Sequence, residues 1–143
     1  MDSLFSPIEE FSMPVTDTTS VGPIPNFICT IEGWKTKIKN LHWSASNMNV
    51  HKLLDEIADF VSDFQDSLAE DYMGINGKFD STFLKGNPCN CGNTLELLKD
   101  MCHQTNSFYS KIPQDNRYKG ITSETETFIH NINKYLYLIT LCE

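Results

Sequence analysis

Apolar side chains recur at helical spacing in four separate stretches of this chain. From Asn26 onward, Phe27, Ile31, Trp34, Ile38 and Leu41 fall every third or fourth residue, which predicts an amphipathic helix starting near Pro25 and Asn26. The polar run Ser44–Asn49 (SASNMN) predicts a turn. A second helix is expected from about Val50 to Met73, with Leu53, Ile57, Phe60, Phe64 and Leu68 on its apolar face and Gly74 as its terminator. Residues 75–92 carry three glycines, a proline and two cysteines and read as a long crossover. Asn93 followed by Glu96 marks the start of a third helix with the stripe Leu95, Leu98, Cys102, Phe108 and Ile112, broken near Pro113. Ser123 with Glu126 gives a second start signal, ahead of Phe128, Ile132, Tyr135 and Ile139. The pattern predicts an all-α bundle of four helices over residues 26–143, with one long connection between the second and third. Residues 1–25 hold four of the six prolines and no helical period, and read as an extended or disordered arm. Its Phe5, Ile8 and Phe11 suit a protein surface, on a sibling subunit or on a separate partner.

Charge narrows the function. At 143 residues the chain suits one domain with a real core. Its net charge of −8 argues against nucleic acid as a partner, because DNA affinity comes from Lys and Arg neutralising phosphates. The first basic residue is Lys35, and the arm carries Asp2, Glu9, Glu10 and Asp17. No apolar run reaches the length of a membrane span, and no signal peptide is evident at the N-terminus, so a cytoplasmic location is expected. Without a secretion signal the five cysteines are expected to be reduced, with Cys29 and Cys142 as small core residues. Cys89 and Cys91 form a C-x-C pair that can start a zinc or redox site. Four ligands are needed and no second pair is near in sequence, so the expectation is a solvent-facing loop.

The second helix carries the candidate chemistry. His51/Asp55 and Asp66/Glu70 are both i, i+4 pairs, and the four fall within an arc of roughly 100°, opposite the apolar stripe. Asp59 and Asp63 lie on the same stripe, where Lys52 is the only Lys or Arg between Val50 and Asp71. A charged stripe is commonly a solvated face, but one with so little compensation repels itself unless a cation or partner relieves it. The second pair lies fifteen residues beyond the first, roughly 22 Å along the axis, too far for one small cation. A second copy crossing antiparallel on a two-fold axis near Phe60 and Val61 would bring His51/Asp55 of one chain to Asp66/Glu70 of the other. Two Glu-x-x-His motifs in one chain, the other way in which a four-helix bundle builds a metal centre, are missing; Asp100 and His103 form a single Asp-x-x-His.

The string LHW followed by HKLLD and then DSLAE resembles the Dps family of mini-ferritins, specifically over about residues 34–77 and in architecture beyond. A connection of nine residues from His42 to His51, three shorter than typical members have, is similar to that of poorly characterised Dps-related proteins of bacteria and their phages. The resemblance implies a ferritin-like four-helix bundle and a ferroxidase site shared across a two-fold interface. His42, His51, Asp55, Asp66 and Glu70 would be its metal ligands, holding a di-iron centre, and Trp43 would be an electron-donating aromatic beside it. It implies Fe(II) oxidation by hydrogen peroxide and ferric storage in a dodecameric shell of two-fold dimers. His42 also has a plainer reading, as a hydrogen-bonded residue beside the apolar stripe of the first helix. The competing expectation for the whole chain is a ferritin-like assembly component, in a host cytoplasm or a virion, whose site is vestigial or holds a structural cation.

Overall fold

A computed structural model describes residues 22–142, so most of the N-terminal arm, with Phe5, Ile8 and Phe11, lies outside the described residues. The described chain is all-helical: α1 is Pro23–Ser44, α2 Met48–Asn76, α3 Thr94–Tyr109 and α4 Lys119–Ile139, with a 3-10 turn at Asn116–Tyr118 ahead of α4. None of these helices is long and apolar enough to cross a membrane.

Helix limits differ from the sequence expectation, each for a local reason. The arm ends sooner than residue 25, because α1 begins at Pro23 and buries Ile24 and Pro25. Prolines fit a first turn, where the missing N–H would have no intrahelical partner. Gly74 does not stop α2; the helix continues to Asn76 and Gly77 ends it at φ 94°, its N–H donating to the Met73 carbonyl at 2.8 Å. Only glycine adopts that φ without strain. The extra turn places Ile75 against the core and lets Asn76 Nδ2 donate to the Tyr118 hydroxyl at 3.3 Å. Ser123 and Glu126 lie inside α4, since Asp115 accepts the Arg117 N–H at 2.9 Å and starts the helical path eight residues before Ser123. The start of α3 is as expected: Asn93 Oδ1 accepts the Glu96 N–H at 2.9 Å, and Glu96 reaches back to the Gly92 N–H at 2.8 Å.

α1 packs on α2 and α3, and α4 packs on α3 and α2, leaving α2 and α3 diagonal. Trp34 meets Asp100 and Phe27 meets Phe108, so α1 and α3 are antiparallel. Phe64 meets Phe128 and Asn76 meets Tyr118, so α2 and α4 are antiparallel too. Residues 77–93 therefore cross the bundle diagonal to join two helices that point the same way.

All four helices contribute to one aromatic cluster. Phe27 stacks on Phe108 at 4.1 Å, Phe64 on Phe128 at 4.0 Å, and the fully buried Trp34 lies against Phe27 and Phe128. Such pairs contribute about 0.5–1.5 kcal/mol each beyond area burial. The α3 stripe is rotated from the expected one: Leu97, Leu98, Met101, Thr105 and Phe108 are buried, Cys102 is half-buried and Leu95 is exposed. Cys29 is core, whereas Cys142 is only half-buried just past α4.

The crossover is seated on α1 at Gly33. A Cβ there would stand 1.9 Å from the Asn87 carbonyl oxygen. Asn87 N–H donates to the Cys29 carbonyl at 2.9 Å, and its Nδ2 donates to Thr30 Oγ1 at 3.1 Å. Gly33→Ala should therefore destabilise the fold by about 1–3 kcal/mol, although alanine is the better helix former by about 1 kcal/mol. A urea midpoint equal to or above that of the wild type would contradict this contact.

At the α2–α4 seam, burial above all, and then the neighbouring Asp71 carboxyl, push Glu124 up from 4.5 to about 7, with Ser67 opposing. Between those values the folded state holds a proton that the unfolded chain has released, so stability falls as pH rises through this window and levels off above it. Glu124→Gln should remove that part of the pH dependence and raise the urea midpoint at pH 8 relative to wild type. Parallel midpoint-against-pH curves for the two proteins would refute the assignment.

Candidate metal centre

The corner between α1 and α2 is built by a short, capped connection. Only Ala45–Asn47 separate the helices, two residues fewer at the far side than the polar run suggested, because α2 starts at Met48. Asn47 Oδ1 accepts the Asn49 and Val50 N–H groups at 2.8 and 3.2 Å, which satisfies the first donors of α2. His42, in the last turn of α1, thereby faces His51, in the first turn of α2.

The two imidazoles stack with centroids 3.9 Å apart and planes 19° apart. His51 Nδ1 lies 3.1 Å from the His42 backbone carbonyl. A carbonyl can only accept, so Nδ1 carries the hydrogen and Nε2 is left with the lone pair. This backbone contact is the kind of outer partner that orients a ligating imidazole. His42 Nε2 stands 2.9 Å from Asp55 Oδ1. Close as that approach is, the buried Nε2 makes no hydrogen bond among the described residues.

His42, His51 and Asp55 each offer a ligand atom, all within 4.8 Å of one another. Two donors bound at about 2.1 Å lie about 3.0 Å apart at a right angle and about 3.4 Å apart at a tetrahedral angle. The 2.9 Å separation of Nε2 and Oδ1 matches a right-angled, octahedral pair of positions. Imidazole with carboxylate suits a first-row divalent ion. The nine-residue spacing thus keeps His42 beside His51 and Asp55, and His42 is not a residue of the apolar core.

Asp66 and Glu70 are not in this cluster. Both are exposed on α2, roughly 22 Å and more beyond His51, and the side chain of neither makes a hydrogen bond or ion pair among the described residues. Val61 is fully buried inside its own bundle, and Phe60 is half-buried against Phe128 and Tyr135. The face of α2 that is open to another chain is the acidic one bearing Asp55, Asp59, Asp63, Asp66 and Glu70. Beside the cluster, an open groove of about 700 Å³ runs along α1 and α2, lined by His42, Trp43, Asp55, Asp59 and Lys35 among others. Trp43 is 72% exposed and Met48 64%, two large apolar side chains flanking the corner.

A second grouping was only half visible in the sequence. Cys89, Cys91 and Asp100 also bring ligand atoms within 4.8 Å of one another. The C-x-C loop is not solvent-facing, as its composition suggested; both thiols are half-buried and pack against the core. Burial, followed by the adjacent Cys89 thiol, pushes Cys91 up to about 12. In the sequence Asp100 stands out only through its spacing to His103; the fold adds Trp34, from 66 residues earlier in the chain, and the two crossover thiols as neighbours.

No family model, no curated protein and no solved structure matches the chain, so the chemistry of these two clusters is the guide to what it does.

Proposed function

We propose that the protein is a Dps-like, ferritin-like oligomer that binds and oxidises Fe(II) at sites shared between two-fold related chains. The observation that carries this reading is the His42–His51–Asp55 corner: two imidazoles and a carboxylate gathered within 4.8 Å, one imidazole with its tautomer set by a backbone carbonyl. Support also comes from the helix order, with the long crossover joining diagonal helices that run the same way, as in ferritin-like bundles. The corner alone leaves Fe(II) under-ligated. Asp66 and Glu70 of a partner would complete it, and exposed Trp43 and Met48 give that partner an apolar surface to cover.

In this reading Fe(II) is the substrate. His51 and His42 supply nitrogen donors and the carboxylates supply hard oxygen donors that hold the ferric product more tightly than the ferrous substrate. Two Fe(II) held close together give up one electron each, and one hydrogen peroxide with two protons becomes two waters. Paired transfer avoids the single-electron cleavage that releases hydroxyl radical. In the same reading Trp43, next to His42 in sequence and open to solvent, would supply an electron when only one iron is bound, the role the resemblance implies. The ferric product would be stored inside a closed shell, which the resemblance puts at twelve subunits.

The competing reading is an assembly component in which His42 and Asp55 form a simple ion pair at the helix corner. Their 2.9 Å approach favours it, since Asp55 has no other ion-pair partner among the described residues. Activity separates the two.

Peroxide-driven Fe(II) oxidation should exceed that of buffer with peroxide, and Asp55→Ala, Asp66→Ala and Glu70→Ala should each remove most of it with the helical signal intact. Sharing across a two-fold axis has a sharper signature. His51→Ala and Glu70→Ala subunits, each inactive alone, should on random co-assembly recover about a quarter of wild-type activity, because half the dimers are mixed and each mixed dimer holds one intact site. A mixture as inactive as its parents would end the shared-site proposal.

The acidic chain should leave plasmid DNA unretarded in a gel at about 50 mM salt, a condition that favours even weak phosphate contacts. Retardation would overturn the charge argument.

A further inference from the structure

The crossover and α3 meet in a chemistry the iron reading does not use. Cys89 and Cys91 come from the crossover, two residues apart and therefore able to turn both sulfurs the same way along an extended segment. Asp100 comes from the second turn of α3. Their ligand atoms lie within 4.8 Å of one another. Two thiolates on one tetrahedral cation at about 2.3 Å stand about 3.8 Å apart, so the group is close to the size a bound ion requires.

The carboxylate is held in place independently of any ion. Trp34, fully buried, donates its indole N–H to Asp100 Oδ2 at 3.1 Å. Gln104 Nε2 donates to both Asp100 oxygens at 3.0 and 2.9 Å. These contacts fix the carboxylate while leaving lone pairs for a cation, which is how outer partners orient a ligand. The crossover is fixed as well, by the seat of Asn87 against Gly33 two residues before Cys89. Both halves of the group are thus positioned by contacts outside it, as a pre-organised site requires.

We infer that Cys89, Cys91 and Asp100 form a binding site for a thiophilic divalent cation of the zinc class, with water in the fourth position, fastening the crossover to α3. Paired sulfur donors select against the harder Fe(II) that suits the His42 corner. Half-burial of the three residues leaves solvent access for the fourth ligand. On binding, each thiol gives its proton to solvent and its sulfur to the metal. His103, exposed on the next turn, is not within ligand distance of the group. Bound ion would add a cross-link between the crossover and α3 beyond the capping hydrogen bonds that Gly92 and Asn93 make with Glu96.

Cobalt(II) is the probe, because sulfur ligation gives a near-ultraviolet charge-transfer absorption that nitrogen and oxygen ligands do not. The reduced full-length protein should take up one equivalent of cobalt with that absorption, and zinc should displace it. Cys89→Ser and Cys91→Ser should each abolish the band, and Asp100→Asn, which keeps an acceptor for Trp34, should weaken binding by at least about tenfold. Cys102→Ser and His51→Ala should leave it unchanged, so loss of the iron activity and loss of this site are read separately. Zinc should also raise Tm in the wild type and not in Cys89→Ser. A wild-type titration with no zinc-displaceable sulfur band, or a band that survives replacement of both Cys89 and Cys91, would overturn the proposal.

Discussion

A fully buried indole carries one N–H that needs an acceptor, and the bundle is arranged around meeting that need. Trp34 sits at the centre of α1 with no exposed surface, and its N–H goes to Asp100 of α3. Leaving that donor without a partner would cost about 1–3 kcal/mol. Satisfying it fixes the axial register of α1 against α3, and the ring itself then sets the positions of Phe27 and Phe128. The same bond orients a carboxylate that faces two thiols. One polar contact in an apolar centre thus links the register of the helices to the chemistry of the crossover.

Gly33, the residue before Trp34, extends this constraint outward. The crossover has to travel back along the bundle because it joins two helices that run the same way, and it does so pressed against α1 with no space for a side chain. Asn87 fills the hydrogen-bonding requirement at the contact by bonding to Thr30 and to the Cys29 carbonyl. Burial of Trp34 and close approach at Gly33 therefore act together. One face of α1 turns into the core, and the flank beside it receives the strap that carries Cys89 and Cys91.

The opposite end of α1 obeys a different rule. There the chain reverses in three residues, and the Asn47 cap rather than packing sets how α2 departs. His42 and His51 meet because a tight reversal places the last turn of one helix over the first turn of the next. Nothing apolar holds Asp55, which is mostly exposed. Beyond this corner the same face of α2 carries Asp59, Asp63, Asp66 and Glu70, all exposed, a row of like charges that a cation would relieve.

Periodicity in the sequence was enough to determine four amphipathic helices, the polarity of α2 and the spacing of its two i, i+4 pairs, because side-chain direction in a helix follows directly from position. It was also enough to show that His51/Asp55 and Asp66/Glu70 cannot meet within one helix, which is a matter of rise per residue. The ends of the helices were less legible. Pro23, Gly77 and Asp115 act through backbone geometry that composition only hints at, and strong signals at Gly74 and Ser123 were overridden by packing of the turns beyond them. Tertiary structure alone decided that a nine-residue gap still brings His42 to Asp55, since that depends on where the connection is capped and not on its length. It alone joined Cys89 and Cys91 to Asp100, because ligands on a crossover and a helix become neighbours only after the crossover is pressed onto α1, a contact between residues more than fifty positions apart that no local pattern encodes.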